Sequence, residues 1–97
     1  MGNDMKGNWL YVIIQDPGTA SEQLLGYSDQ DSGDSFVPAF RSKEEAQQCF
    51  INMARRKNCK YEIQAILLEE LAKDAAVNRF AIFLLNENGE ILEKIKP

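Results

Sequence analysis

The run Phe36-Val37-Pro38-Ala39-Phe40-Arg41-Ser42-Lys43-Glu44-Glu45-Ala46 is the joint of the chain: an apolar strand that breaks into a capped helix. Phe36, Val37, Ala39 and Phe40 read as strand. Pro38 cannot donate a ladder hydrogen bond, so the strand is short or lies at an edge. Ser42 is a good N-cap, and Glu45 three residues later completes a capping box. Glu44 and Glu45 sit where the helix dipole favours negative charge. Ala46, Cys49, Phe50 and Met53 then recur at i, i+3, i+4 and i+7, one apolar helical face. Arg55, Arg56 and Lys57 follow at the end favourable for cations. The spacing predicts a helix over 43–57.

The rest of the chain is organised around that joint. Residues 1–7 read as a flexible leader, and 8–97 as a single domain. Trp9 to Gln15 is a strand with Trp9, Tyr11 and Ile13 on one face and Leu10, Val12 and Ile14 on the other. Both faces are apolar, which predicts a central strand. Asp16-Pro17-Gly18 is a turn, Leu24 to Ser28 a returning strand, and Asp29 to Ser35 an acidic loop. Tyr61, Ile63 and Ala65 alternate with polar residues and read as a half-buried strand. Leu68, Leu71, Ala72 and Ala75 form a second helical face, with Asn78 suited to a left-handed end. Phe80 to Leu85 is a strand, Asn86-Glu87-Asn88-Gly89 a hairpin turn with Gly89 at positive φ, and Ile91 to Ile95 the last strand. The expected fold is α+β: a single mostly antiparallel sheet, in the order β-β-β-α-β-α-β-β, with two helices packed on one face.

Val37-Pro38-Ala39-Phe40-Arg41-Ser42-Lys43-Glu44-Glu45-Ala46 resembles the Val-Pro-x-Phe-x-Ser-x-Glu-Glu-Ala stretch of SseB N-terminal-type domains. Phe83-Leu84-Leu85-Asn86 is similar to their later apolar strand ending in Asn, with Glu87 where that family carries Pro. The chain also resembles a cyanobacterial-type domain of unknown function with the same helix start and C-terminal hairpin. The resemblance covers residues 36–46 and 80–90. It implies a small bacterial α+β module with no agreed activity, and it brings no catalytic residues.

At 97 residues and 44% hydrophobic, the chain fits one domain with a core. It has no 18-residue apolar run and no signal-peptide core, and Lys6 stands where a myristoylation signal needs Ser or Thr. A cytoplasmic protein is expected. The net charge is −4, with residues 1–34 at −5 (six acids, one base) and residues 35–97 at +1 (ten bases, nine acids). That acidity argues against a nucleic-acid partner, because neutralising phosphates dominates such affinity.

No histidine is present. The commonest general base and zinc ligand are therefore missing, and Ser-His or Cys-His pairs cannot form within one chain. Cys49 lies on the apolar helix face, where a free thiol acts as a small hydrophobe. Cys59 is not in a CxxC pair, and a disulfide is not expected in a reducing compartment. An enzyme and a cofactor are not expected. Asp29, Asp31 and Asp34 make a faint calcium-loop pattern, but Gly33 falls at position 5 and Phe40 at position 12, where a calcium loop needs Gly at 6 and Glu at 12. Arg41, Arg55, Arg56, Lys57 and Lys60 form a candidate basic patch for an acidic partner.

With both helices on one face, the other face of strands 9–15 and 80–85 would meet water. Such a patch on a soluble monomer either marks a partner surface or is covered within the chain by the acidic loops or one of the helices. Trp9, Tyr11, Ile13 and Phe83 are then its candidate contacts. The leading expectation is a non-enzymatic protein-interaction or self-association module. The alternative is a regulatory domain binding a small ligand or divalent metal through loop 16–35.

Overall fold

The computed structural model describes residues 8–53 and 57–95. The expected leader, 1–7, lies outside them, as do Arg55 and Arg56. The strands are β1 (Trp9–Gln15), β2 (Gln23–Leu24), β3 (Tyr27–Ser28), β4 (Ser35–Ala39), β5 (Tyr61–Leu67), β6 (Ala81–Leu85) and β7 (Ile91–Ile95); the helices are α1 (Lys43–Phe50) and α2 (Leu68–Asn78).

The class is α+β, but the expected single sheet is two. One has the order β2-β1-β5 and the other β3-β4-β6-β7. All pairings are antiparallel except β4 with β6. The sheets meet at one place, where the Tyr11 amide donates to the Phe40 carbonyl (2.8 Å) and the Phe40 amide donates back to Tyr11 (2.9 Å). Beyond this joint β1 and β4 part.

The expected strand 24–28 is cut in two by the same fork. β2 pairs with the end of β1, Ile14↔Leu24 and Gln15↔Gln23. β3 pairs with the start of β4, Tyr27↔Phe36 and Ser28↔Ser35. Leu25-Gly26 crosses the gap, and the Leu25 amide donates to the Ile13 carbonyl at 2.8 Å. Gly26 suits this crossing, where space for a side chain is tight. A Cβ there would stand 3.2 Å from the Phe36 carbonyl oxygen and 3.6 Å from the Phe80 ring.

The helices do not share a face. Ala46, Cys49 and Phe50 of α1 pack with Tyr11, Ile13, Phe40, Phe83 and Ile63. Leu71, Ala75, Leu68 and Ala72 of α2 pack with Val12, Ile14, Val37, Ala39 and Ile82. Strand residues alternate between the two cores, so each helix covers its own side. Topology gives the reason. Taken across the joint, β4, β5 and β6 run the same way. The α1 connection crosses from β4 to β5, and the α2 connection crosses back to β6. Two right-handed crossovers in opposite directions put their helices on opposite faces. The doubly apolar strands β1 and β6 are thereby buried on both sides, as strands between helix layers are.

α1 is shorter than the spacing predicts. Its capping box forms: the Glu45 amide donates to the Ser42 hydroxyl at 3.1 Å, and that hydroxyl donates to Glu45 Oε1 at 3.3 Å. The helix stops at Phe50, and tight turns follow, with Asn52 N–H to Cys49 and Met53 N–H to Phe50. Phe50 rests against Tyr61 with ring centroids 5.2 Å apart, so the chain must turn early to bring β5 back. β5 runs on to Leu67, two residues past the expected alternation, and α2 starts directly from it. The Leu68 amide is satisfied by the Asn8 carbonyl at 2.8 Å, and Glu69 and Glu70 complement the first turn. Arg79, not Asn78, takes the left-handed position at φ 61°. Asn78 closes the helix by donating its side-chain amide to the Asp74 carbonyl. The turn at 86–89 forms as expected, with Gly89 at φ 79°. No helix among the described residues is long and apolar enough to cross a membrane.

Candidate functional site

The interface candidates separate by burial. Ile13 (1% exposed) and Phe83 (3%) lie in the core under α1. Phe83 stacks on Phe36 at 4.3 Å, and Lys94 Nζ stands 5.1 Å from its ring centroid. Tyr11 is half-buried against the same core. Trp9 is 51% exposed, at the start of β1 opposite Leu67. Among the described residues these four share no open apolar face, because each face of the strands carries a helix.

Of the basic patch, the described members Arg41, Lys57 and Lys60 lie at the two ends of α1. Arg41 stands before α1 and pairs with Glu45 at 3.5 Å. Lys57 and Lys60 lie beyond the other end of that helix, in the connection to β5. The Lys60 backbone is tied to the first loop: its amide donates to Asp16 Oδ1 at 3.1 Å, and its carbonyl accepts from the Asp16 amide at 2.7 Å.

The acidic loop spends its polar groups on itself. Asp29 Oδ1 accepts from the Asp31 amide at 3.1 Å and Oδ2 from the Ser32 hydroxyl at 3.0 Å. The Ser32 hydroxyl in turn accepts from the Asp34 amide. Asp29 thus builds a turn of the kind its short side chain favours. Among the described residues no three His, Cys, Asp or Glu side chains gather as a metal site. Cys49 is buried and burial pushes its thiol pKa up, which disfavours the nucleophilic thiolate.

The strongest site is at the fork. Where β1 and β4 part, the 23–28 crossing leaves a hollow of about 490 Å³ lined by Gln15, Gln23, Tyr27, Ser35, Tyr61 and Phe80, among others. That volume lies within the range of small-molecule sites, roughly 300–1,000 Å³. A second hollow of about 580 Å³ lies across β2, shares Gln23, Leu24 and Phe80, and adds Glu22 and Asp74.

Gln15 distinguishes the first hollow. It ends β1 and is only 9% exposed, the one buried polar residue among those described. Its carboxamide has no hydrogen-bond partner among them, and no described side-chain polar atom is both sealed from solvent and unsatisfied. The carboxamide therefore keeps some contact with solvent, and Gln15 lines the hollow. Buried polar side chains are normally paired within the protein. Sequence reading singled out loop 16–35 but missed Gln15. A polar residue at the end of an otherwise apolar strand was the available signal, and it looks the same as a strand simply reaching water. Comparison with family models, curated proteins and solved structures returns no match to this chain.

Proposed function

We propose that the chain is a non-enzymatic binding module that takes a small ligand in the hollow at the fork. Gln15, a residue nine-tenths buried that lines the hollow and has no hydrogen-bond partner for its carboxamide among the described residues, carries this reading. A few placed polar groups among apolar walls are the usual make-up of a ligand site. Leu24, Leu25, Tyr27 and Phe80 supply the walls, and Gln15, Gln23 and Ser35 the polar groups. The 23–28 crossing belongs to the loop region, so ligand binding would hold both sheets at their open end.

Amide NMR with a library of uncharged polar fragments tests it. Binding should move the amides of Gln15, Leu24 to Ser28, Ser35, Tyr61 and Phe80 together. Fragments that bind only elsewhere, or none that bind, would refute the reading.

A second reading, a protein-association module, is favoured by the exposure of Trp9 beside β5. Among the described residues that seven-residue strand pairs with β1 alone, and sheet edges are where strand addition takes place. Light scattering across protein concentration tests self-association. Under this reading the protein is a dimer, and Trp9→Ala returns it to monomer without unfolding it.

A further inference from the structure

Resting on the ligand-site reading above, we infer that the hollow at the fork takes an uncharged planar heterocycle of the nucleobase kind, as base or nucleoside rather than nucleotide. Three features of the lining point this way. The first is the carboxamide chemistry. Gln15 and Gln23 both line the hollow, and each carries a donor and an acceptor side by side. That pair matches the adjacent donor and acceptor on the edge of a base, the same complement by which Asn and Gln read adenine.

The second feature is aromatic. Tyr27, Tyr61 and Phe80 line the same space. Every base has a π-face, so aromatic walls suit any of them. The third feature is charge. Among the described residues no Lys or Arg lines either hollow, and Glu22 and Asp74 line the adjoining one. Among the described lining residues a phosphate would find no cation to pair with, and two carboxylates nearby. The site therefore discriminates by excluding charge as well as by pairing the edge.

Amide NMR titration with adenosine, guanosine, cytidine and uridine, each against its 5′-monophosphate, tests the inference. At least one nucleoside should move the amides of Gln15, Tyr27, Tyr61 and Phe80, and bind at least tenfold more tightly than its monophosphate. Gln15→Leu should weaken that nucleoside at least tenfold. Gln15→Glu, which keeps the shape but removes the amide donor, should weaken it likewise, and covers the case in which the Leu variant misfolds.

A monophosphate that binds as tightly as its nucleoside overturns the inference. So does nucleoside binding that Gln15→Leu and Gln15→Glu both leave unchanged. If neutral fragments move the hollow's amides and no nucleoside does, the nucleobase inference falls and the ligand site stands. If neither moves them, both fall.

Discussion

Where Tyr11 meets Phe40, two reciprocal hydrogen bonds stitch the sheets together and Phe40 is fully buried between them. Where β1 ends at Gln15 and β4 begins at Ser35, the same two strands have parted. Two-residue strands and a glycine crossing bridge the gap, and the mostly buried Gln15, its carboxamide unpartnered among the described residues, lines the hollow there. One end is a packed joint whose polar groups are answered by the protein. The other leaves a polar group for something outside the protein to answer. The fold's rigidity and its candidate function thus sit at opposite ends of one strand pair, as expected when a binding site is set on a firm scaffold.

The joint should prove the costlier end to disturb. Phe40→Ala removes a ring with no exposed surface and leaves a cavity where both sheets meet. It should cost about 3–5 kcal/mol, against a total of about 5–15 kcal/mol for a domain of ordinary stability. Urea unfolding gives the number. A loss below about 1 kcal/mol would mean that the joint is held by its hydrogen bonds and not by packing.

The crossing should give way more easily. Leu25→Ala deletes the one buried side chain of the 25–26 bridge. It should cost about 2 kcal/mol, the low end for such a truncation, because the site is free to collapse into the neighbouring hollow. Hydrogen exchange sharpens the contrast: amides of 23–28 should exchange before those of Val12 and Ile13. Uniform exchange across both ends would erase the distinction between them.

Much of the joint was legible in sequence, and the fork was not. Ser42 and Glu45 announce the helix start because a capping box is local chemistry. Ser42→Ala should therefore cost about 1 kcal/mol wherever the helix packs, measured by thermal or urea unfolding. Alternation at Val12, Ile13 and Ile14 announces a strand buried on both faces. It does not say whether water, a partner or a helix covers the second face. That depends on crossover direction, which is a property of the strand order and not of any residue. The placement of α2 opposite α1 decides between the two expected outcomes for that face: a helix covers it. The fork was hidden for a similar reason. Leu24 to Ser28 has strand-like residues throughout, and only the close approach of Gly26 to the Phe36 carbonyl shows that two partners divide it. The early end of α1 was hidden too, since it follows from the meeting of Phe50 with Tyr61 across eleven residues of sequence.

The smallest effect has the opposite sign and bears most on the comparison. Gln15→Leu replaces the carboxamide with a branched apolar side chain one atom shorter. If the hollow is a ligand site, that carboxamide gives the empty protein little, since water alone answers it. An apolar side chain packed beside Leu24 and Leu25 should then stabilise the protein by about 1 kcal/mol. Residues kept for binding often hold stability below what the fold could reach. Urea unfolding of the ligand-free protein reads the sign. A gain marks the open end as a place where the chain keeps a polar group at its own expense. A loss of about 1 kcal/mol or more would mean that Gln15 is a structural member of the fork. The two ends would then differ only in how they are packed, and the case for a ligand would lose its main support.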